Sequence, residues 1–267
     1  MDEVLVSRNL FANLHDAQVA VLAGEVIVGE HRETSAGRRL DPDVPIRIKG
    51  RSRFVSRGGE KLQGALDAFS LDPFGLACAD LGCSTGGFTH CLLNAGALSV
   101  SAIDVGYGQF SWELRQDERV SLFERTNVRG IDVAAVGGPF QLVVGDLSFV
   151  SLKSLMPSIA LLMAPGGHAV LLVKPQFELD SSLIGEGGIV TDPALHAQAL
   201  QDAVAAAVDN GLHVSEIAVS PIKGTKGNVE FLLHALREGE SLQKGSTMVS
   251  PEDIQQVVRN AHESIGG

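Results

Sequence analysis

The sequence is poor in cysteine, in aromatic residues and in positive charge. Its three cysteines, Cys78, Cys83 and Cys91, are an odd number without a C-x-x-C pair in 267 residues, which excludes a disulfide framework and a zinc knuckle. With one Trp and one Tyr, any base stacking must rely on Phe, Tyr107 or arginine planes. Lys and Arg number 21 against 32 Asp and Glu, a formal charge of −11, which excludes a diffuse polycation that coats nucleic acid or anionic lipid. Contact with phosphate must therefore be local. The apolar uncharged stretch 154–173 has the length of a membrane span, but Pro157 and the Pro165-Gly166-Gly167 turn divide it, so it reads as helix, turn and buried strand. Met1-Asp2-Glu3-Val4 places acid where a secretory signal needs base, and with the unpaired thiols this points to a reducing, cytoplasmic setting.

What is present is an ordinary globular composition, 45% hydrophobic with 30 Gly and 10 Pro, enough for one large core or two unequal ones. Residues 1–48 read as a small α+β module: helices near 3–11 and 15–23, a strand at 26–28 turning at Gly29, and an extended stretch at 44–48 where Pro42 and Pro45 oppose helix. A linker, 49–59, follows with a change in composition: from Arg47 through Lys49, Arg51, Arg53 and Arg57 to Lys61, bases face the single acid Glu60. These bases are the candidate phosphate contacts. From 60 to 238, strands near 76–81, 99–103, 120–123, 141–144 and 168–173 alternate with helices, the pattern of a mostly parallel sheet covered on both faces. The helix 194–210 precedes two apolar stretches, 212–219 and 229–236, that read as an antiparallel pair at the end of the sheet. The tail, 239–267, is polar until Ser250-Pro251-Glu252-Asp253, a capping-box start for a helix with Ile254, Val257, Val258 and Ala261 on one face, docked on the body or on a partner.

Two groups of residues carry chemistry. The first is Asp80-Leu81-Gly82-Cys83-Ser84-Thr85-Gly86-Gly87-Phe88, set where a buried strand runs into a helix, so that backbone amides face a ligand. Asp104 ends the next strand, 22 residues after Gly82, the usual spacing of an acid that holds ribose hydroxyls. A dinucleotide turn needs a glycine where this chain has Ser84, and the leading acid, Asp80, suits the cationic end of S-adenosylmethionine better than a diphosphate. The second group is dispersed: Lys61, Asp146, Lys174 and Glu230. Asp146 and Lys174 stand just beyond apolar strands, where open α/β sheets bind ligands, and a lysine directly after Val170-Leu171-Leu172-Val173 is hard to explain as packing. Cys83, His90 and Cys91 lack a fourth ligand at suitable spacing and read as core rather than metal site. A nicotinamide-dependent oxidoreductase and a non-catalytic RNA-binding or membrane-active protein are the competing classes.

Five stretches in one order, 55–62, 80–89, 104–109, 124–129 and 174–178, closely resemble the TlyA family, whose members also carry the name haemolysin. The resemblance runs to about Arg237 and does not cover the tail. It implies an N-terminal domain similar to that of ribosomal protein S4, joined to an FtsJ-like, Rossmann-like class I methyltransferase domain with an antiparallel last strand. The implied activity is S-adenosylmethionine-dependent 2′-O-methylation of ribose, at cytidine, in ribosomal RNA. Ribosomal RNA or ribosomal subunits are the implied partners, with no membrane and no obligate protein partner. Lys61, Asp146, Lys174 and Glu230 match the family's catalytic tetrad, with Lys174 as the base that accepts the hydroxyl proton. Asp80, Gly82, Ser84, Thr85, Gly86, Gly87, Phe88, Asp104, Val105, Asn127 and Asp146 are the implied cofactor-binding residues. Arg8 joins Arg47, Lys49, Arg51, Arg53 and Arg57 on the RNA side, although residues 1–50 hold more acids than bases, so the module alone should bind RNA weakly.

Overall fold

The structure, a computed structural model, describes residues 1–8, 10–11, 13–29, 31–40, 44, 46–48, 53–239 and 245–263, without the side chains of Arg47 and Glu186. It divides into two compact units, Met1–Arg53 and Phe54–Gly267.

In the first unit, α1 (Asp2–Ser7) and α2 (Leu14–Leu22) precede three short antiparallel strands, β1 (Val26–Val28), β2 (His31–Glu33) and β3 (Ile46–Ile48), in the order β2-β1-β3. The Asn13 side chain starts α2 by accepting the Asp16 amide at 2.9 Å. Leu5, Ala17, Val21 and Val26, all fully buried, form the core. The first helix stops four residues short of its sequence expectation because the Leu10 amide turns back to the Leu5 carbonyl at 2.9 Å and Phe11 folds inward. β2, all polar, has no apolar alternation by which sequence would reveal it.

The second unit contains α3 (Gly58–Ala68), β4 (Ala77–Leu81), α4 (Gly87–Asn94), β5 (Ser99–Ile103), α5 (Trp112–Arg115), β6 (Val120–Phe123), β7 (Phe140–Gly145), α6 (Leu152–Leu162), β8 (Met163–Val173), α7 (Pro175–Glu178), α8 (Pro193–Asp209), β9 (His213–Val219), β10 (Phe231–Leu236) and α9 (Pro251–Glu263). The seven strands lie in the order β6-β5-β4-β7-β8-β10-β9, and β10 runs antiparallel to both neighbours, as the sequence predicts. Alternate strand residues serve opposite faces. Ala79, Val143, Leu171 and Leu233 pack toward α6 and α8, whereas Cys78, Val144, Leu172 and Leu232 pack with Leu62, Leu66 and Leu92 of α3 and α4. Strands buried on both sides explain the continuous apolar runs.

One sequence expectation holds and one is corrected. The helical run expected over 152–163 passes through Pro157, which lies inside α6. The proline removes one backbone bond, and buried Leu155, Met156, Ile159 and Ala160 hold the rest in place. Pro165-Gly166-Gly167 is not a turn before the strand but a bulge within β8: Phe140 pairs with Met163 and Leu142 with His168, and the Gly166 amide donates to the Arg237 carbonyl at 2.7 Å. The terminal helix docks on the body. Ser250 Oγ accepts the Asp253 amide at 3.2 Å and Asp253 Oδ2 accepts the Ser250 amide at 2.8 Å, a complete capping box, and buried Ile254, Val258 and Ala261 join the core shared with α8.

Candidate active site

From β4 the chain builds outward through β5 and β6, then returns to place β7 and β8 on the other side. The carboxyl ends of β4 and β7 therefore flank the switch point where such sheets open a crevice. Gly82, directly after β4, has φ of 77°, and a Cβ there would sit 3.1 Å from the Asp146 carbonyl oxygen, so only glycine lets the two strand ends approach this closely. The turn is clamped from β5: Asp104 Oδ2 accepts the Ser84 amide at 2.8 Å and its Oδ1 accepts the Gly106 amide at 2.6 Å. At Gly87 a Cβ would fall 2.3 Å from Ser56 Oγ and 2.9 Å from the Gly59 nitrogen, which fixes the close packing of α3 on α4.

Two cavities open at this point. One, of about 670 Å³, is walled by Gly82, Ser84, Asp104, Val105, Asn127 and Asp146, with Thr126, Leu147, Ser148 and Phe149. The other, of about 710 Å³, contains Lys61, Asp146, Lys174 and Glu230, together with Thr85, Gly87, Phe88 and Arg57. They share Gly82, Ser84, Asp146, Ser148 and Phe149 as a common wall. Gly86 lines neither: its φ of 95° and the Leu114 Cδ1 atom 2.5 Å from a notional Cβ give it a packing role. Asp80 also lines neither cavity. Its carboxyl is fully buried, with Oδ2 accepting the Thr89 amide at 2.9 Å and the Thr89 hydroxyl at 2.6 Å. Sequence alone set it among the cofactor residues; the structure sets it beneath the glycine turn, behind the residues that wall the cavities.

The four dispersed residues converge. Asp146 follows β7, Lys174 follows β8, Glu230 precedes β10 and Lys61 lies in the first turns of α3. Lys174 Nζ stands 2.6 Å from Asp146 Oδ1 and donates to Ser148 Oγ at 2.6 Å. Lys61 Nζ stands 3.5 Å from Asp146 Oδ2 and 2.6 Å from Glu230 Oε2. The two lysines thus grip opposite oxygens of one carboxylate, and both are buried, as is Glu230. Glycine at 224 admits the Glu230 carboxylate, whose Oε1 lies 2.5 Å from a notional Cβ there.

Of the expected phosphate contacts, Arg57 is exposed at the rim of the larger cavity, donating to Thr225 Oγ1 at 3.5 Å. Arg8 instead donates to the Val44 carbonyl at 2.8 Å within its own unit. Arg53 is exposed; Lys49, Arg51 and the Arg47 side chain lie outside the described residues. Cys83, His90 and Cys91 do not form a cluster: the thiols are buried, and His90 Nδ1 accepts the Val55 amide at 3.1 Å.

Sequence reasoning missed several wall residues. Phe149, 90% exposed with φ of 63°, stands between the cavities with its ring 5.1 Å from that of Phe177. Ser148 stands two residues after Asp146 and Asn228 two before Glu230, but nothing in their spacing marked them. Glu178 ends a quoted motif yet serves the scaffold: its buried carboxyl accepts the Ser151 hydroxyl at 2.6 Å and the Leu152 amide at 2.9 Å, capping α6, and burial pushes its pKa up.

A seven-stranded sheet of this order, a glycine turn clamped by the acid of the next strand, and a polar cavity adjoining the turn define an α/β methyltransferase of the S-adenosylmethionine-dependent class. An FtsJ-like methyltransferase family model matches residues 54–237, and the chain belongs to that family. It is 41% identical over 99% of its length, and 94% of the other's, to the provisional rRNA methyltransferase YqxC of Bacillus subtilis. The 16S/23S rRNA (cytidine-2'-O)-methyltransferase TlyA of Mycobacterium tuberculosis is 40% identical, with 87% of this chain and 88% of that one covered. A solved structure of a candidate hemolysin from Streptococcus thermophilus superposes with a TM-score of 0.77 at 37% identity, covering 99% of this chain and 96% of that one. Among the described residues no helix is long and apolar enough to cross a membrane.

Proposed function

We propose that this protein transfers the methyl group of S-adenosylmethionine to the 2′-hydroxyl of a ribose, at cytidine, in cytoplasmic ribosomal RNA. The observation that carries the reading is the shared wall: a nucleoside-sized cavity with Asp104 and a second cavity with the four charged residues meet at Gly82 and Asp146. Donor and acceptor would be seated on either side of that wall, with the reacting atoms near Asp146. The smaller cavity fits the donor, because the glycine turn leaves no side chain against the Asp146 backbone and Asp104 stands at the nucleoside end. When bound, the donor supplies an electrophilic methyl on a sulfonium.

The remaining steps fall to residues of this chain. Lys174 acts in its amine form: as the O2′–methyl bond forms and the methyl–sulfur bond breaks, the hydroxyl proton passes to Lys174 Nζ, held between Asp146 and Ser148. With Lys174 neutral, Lys61 opposite Asp146 and Glu230 leaves one net negative charge, which complements the donor's sulfonium before transfer. Arg57 and Lys226 on the rim of the larger cavity are placed for phosphates flanking the target. The first unit, two helices and a small antiparallel sheet, is assigned the S4-like RNA-binding role, and the relatives' printed names support ribosomal RNA as substrate.

The test is Lys174→Ala assayed for transfer of labelled methyl to ribosomal RNA, alongside calorimetric binding of S-adenosylhomocysteine. Transfer should vanish while the cofactor product still binds with wild-type affinity. Retained turnover removes Lys174 as the base, and a wild-type protein stabilised by NADH but not by S-adenosylhomocysteine removes the whole reading.

A further inference from the structure

One wall of the larger cavity comes from a segment whose regular structure is a single 3-10 turn, Glu186–Gly188. Segment 184–190 is glycine-rich, with φ of 77° at Gly187 and 79° at Gly188, and it contributes Ile184 and Gly188 to the cavity. Its position depends on anchors outside it. Asn228, itself on the cavity wall and 3% exposed, accepts the Val190 amide on Oδ1 at 2.9 Å and donates from Nδ2 to the Gly188 carbonyl at 2.9 Å. The Val190 carbonyl in turn accepts from Nε2 of His196, which is fully buried in α8.

That bond fixes the tautomer of His196. Nε2 carries the hydrogen, so in the neutral ring Nδ1 is an acceptor. Its partner at 3.0 Å is Nε2 of His262, in the last turn of α9, which must therefore donate. The far side of the His196 ring meets the edge of Phe231, the residue after Glu230, at 5.5 Å. A continuous set of bonds thus joins the C-terminal helix to the wall of the cavity that holds the charged cluster.

We propose that Asn228, His196 and His262 are positioning residues that fix segment 184–190 as the acceptor-side wall, which makes the C-terminal helix part of the substrate-binding apparatus. The assignment of the wall to substrate rests on the methyltransferase reading above; the mechanical link does not. α9 stays docked through Ile254, Val258 and Ala261 when His262 is changed, so the relay can be cut without removing the helix.

The experiment compares the full-length wild type with His262→Ala, Asn228→Ala and the conservative His262→Gln, whose side-chain amide retains a donor. Hydrogen–deuterium exchange is followed across 184–190, with β9 as internal reference, and the KM for RNA, kcat and S-adenosylhomocysteine affinity are measured on the same preparations. Both His262→Ala and Asn228→Ala should exchange faster across 184–190 with S-adenosylhomocysteine affinity unchanged; His262→Ala should raise the RNA KM about five-fold, the effect of one lost hydrogen bond, and Asn228→Ala, which loses two, by more. His262→Gln should restore both readouts. Wild-type exchange across the segment in His262→Ala, or faster exchange with an unaltered RNA KM, overturns the proposal. If the wild type transfers no methyl, the functional reading fails, and the exchange data still decide whether the relay exists.

Discussion

Replacing Asp80 by Asn removes one ionisable group from the interior with almost no change of shape. In the native protein its carboxyl is fully buried beneath the glycine turn, with both Thr89 bonds on Oδ2 and no hydrogen-bond partner for Oδ1 among the described residues. Burial, with smaller contributions from the negative charges of Asp146 and Asp104, lifts its pKa from the ordinary 3.8 to about 7, against the pull of the Thr89 bonds. A pKa raised on folding means that the folded state holds this proton more tightly than the unfolded chain. Its contribution to stability is complete below the unfolded pKa and is lost as pH rises through the folded one. Between pH 5 and pH 8.5 a shift of this size removes about 3 kcal/mol of stability. The Asn variant does not titrate. Any fixed cost of its amide group, about 1–3 kcal/mol where a donor is left unmatched, is the same at both pH values and cancels. Unfolding free energies from urea titrations should therefore show the gap between variant and wild type moving by about 3 kcal/mol in the variant's favour from pH 5 to pH 8.5. A gap that stays constant with pH refutes the protonated, buried state of Asp80 and the reasoning that places it beneath the turn rather than at a cavity wall.

Two further outcomes follow from the site. Glu230→Ala leaves the buried Lys61 ammonium, among the described residues, with only Asp146, 3.5 Å away, and should cost about 3–5 kcal/mol in urea unfolding as well as methyl transfer; an unchanged midpoint contradicts the pairing. Asp104→Ala releases the Ser84 and Gly106 amides that clamp the glycine turn and should weaken S-adenosylhomocysteine binding about tenfold or more by calorimetry, with undiminished affinity placing the nucleoside elsewhere.

The distinction between Asp80 and the other acids was present in the sequence as depth along the strand, since the registers put all of them on the same face. Asp104, Asp146 and Lys174 each follow the last residue of a strand, so their side chains open into the crevice. Asp80 is the penultimate residue of β4. It shares a face with Cys78, two residues earlier, and that face is covered by α4, from which Thr89 meets it. An acid one position inside the strand is structural where an acid one position beyond it is available to a ligand. The convergence of Lys61 and Glu230 was legible only through the order of motifs, because their meeting depends on the antiparallel return of β10 beside β8. The wall at 184–190 was not legible at all: its glycines carry no periodicity, and its anchors, Asn228 and His196, lie in other elements.

Charge separates the chemistry of this site from its affinity for RNA. Inside the larger cavity the two ammonium groups are matched by two carboxylates in direct contact, so the cluster exerts little net attraction on a polyanion. In a chain of net charge −11, attraction must come from cations outside the cluster, and Arg57 and Lys226 stand at the mouth of the same cavity. Phosphate contacts made by such exposed groups are screened by salt, whereas the buried cluster is screened far less. Raising ionic strength therefore acts first on capture of the RNA and leaves the alignment of the hydroxyl, once captured, nearly untouched. That division of labour is the physical reason an acidic protein can hold its buried lysines in closed ion pairs and still work on a polyanionic substrate.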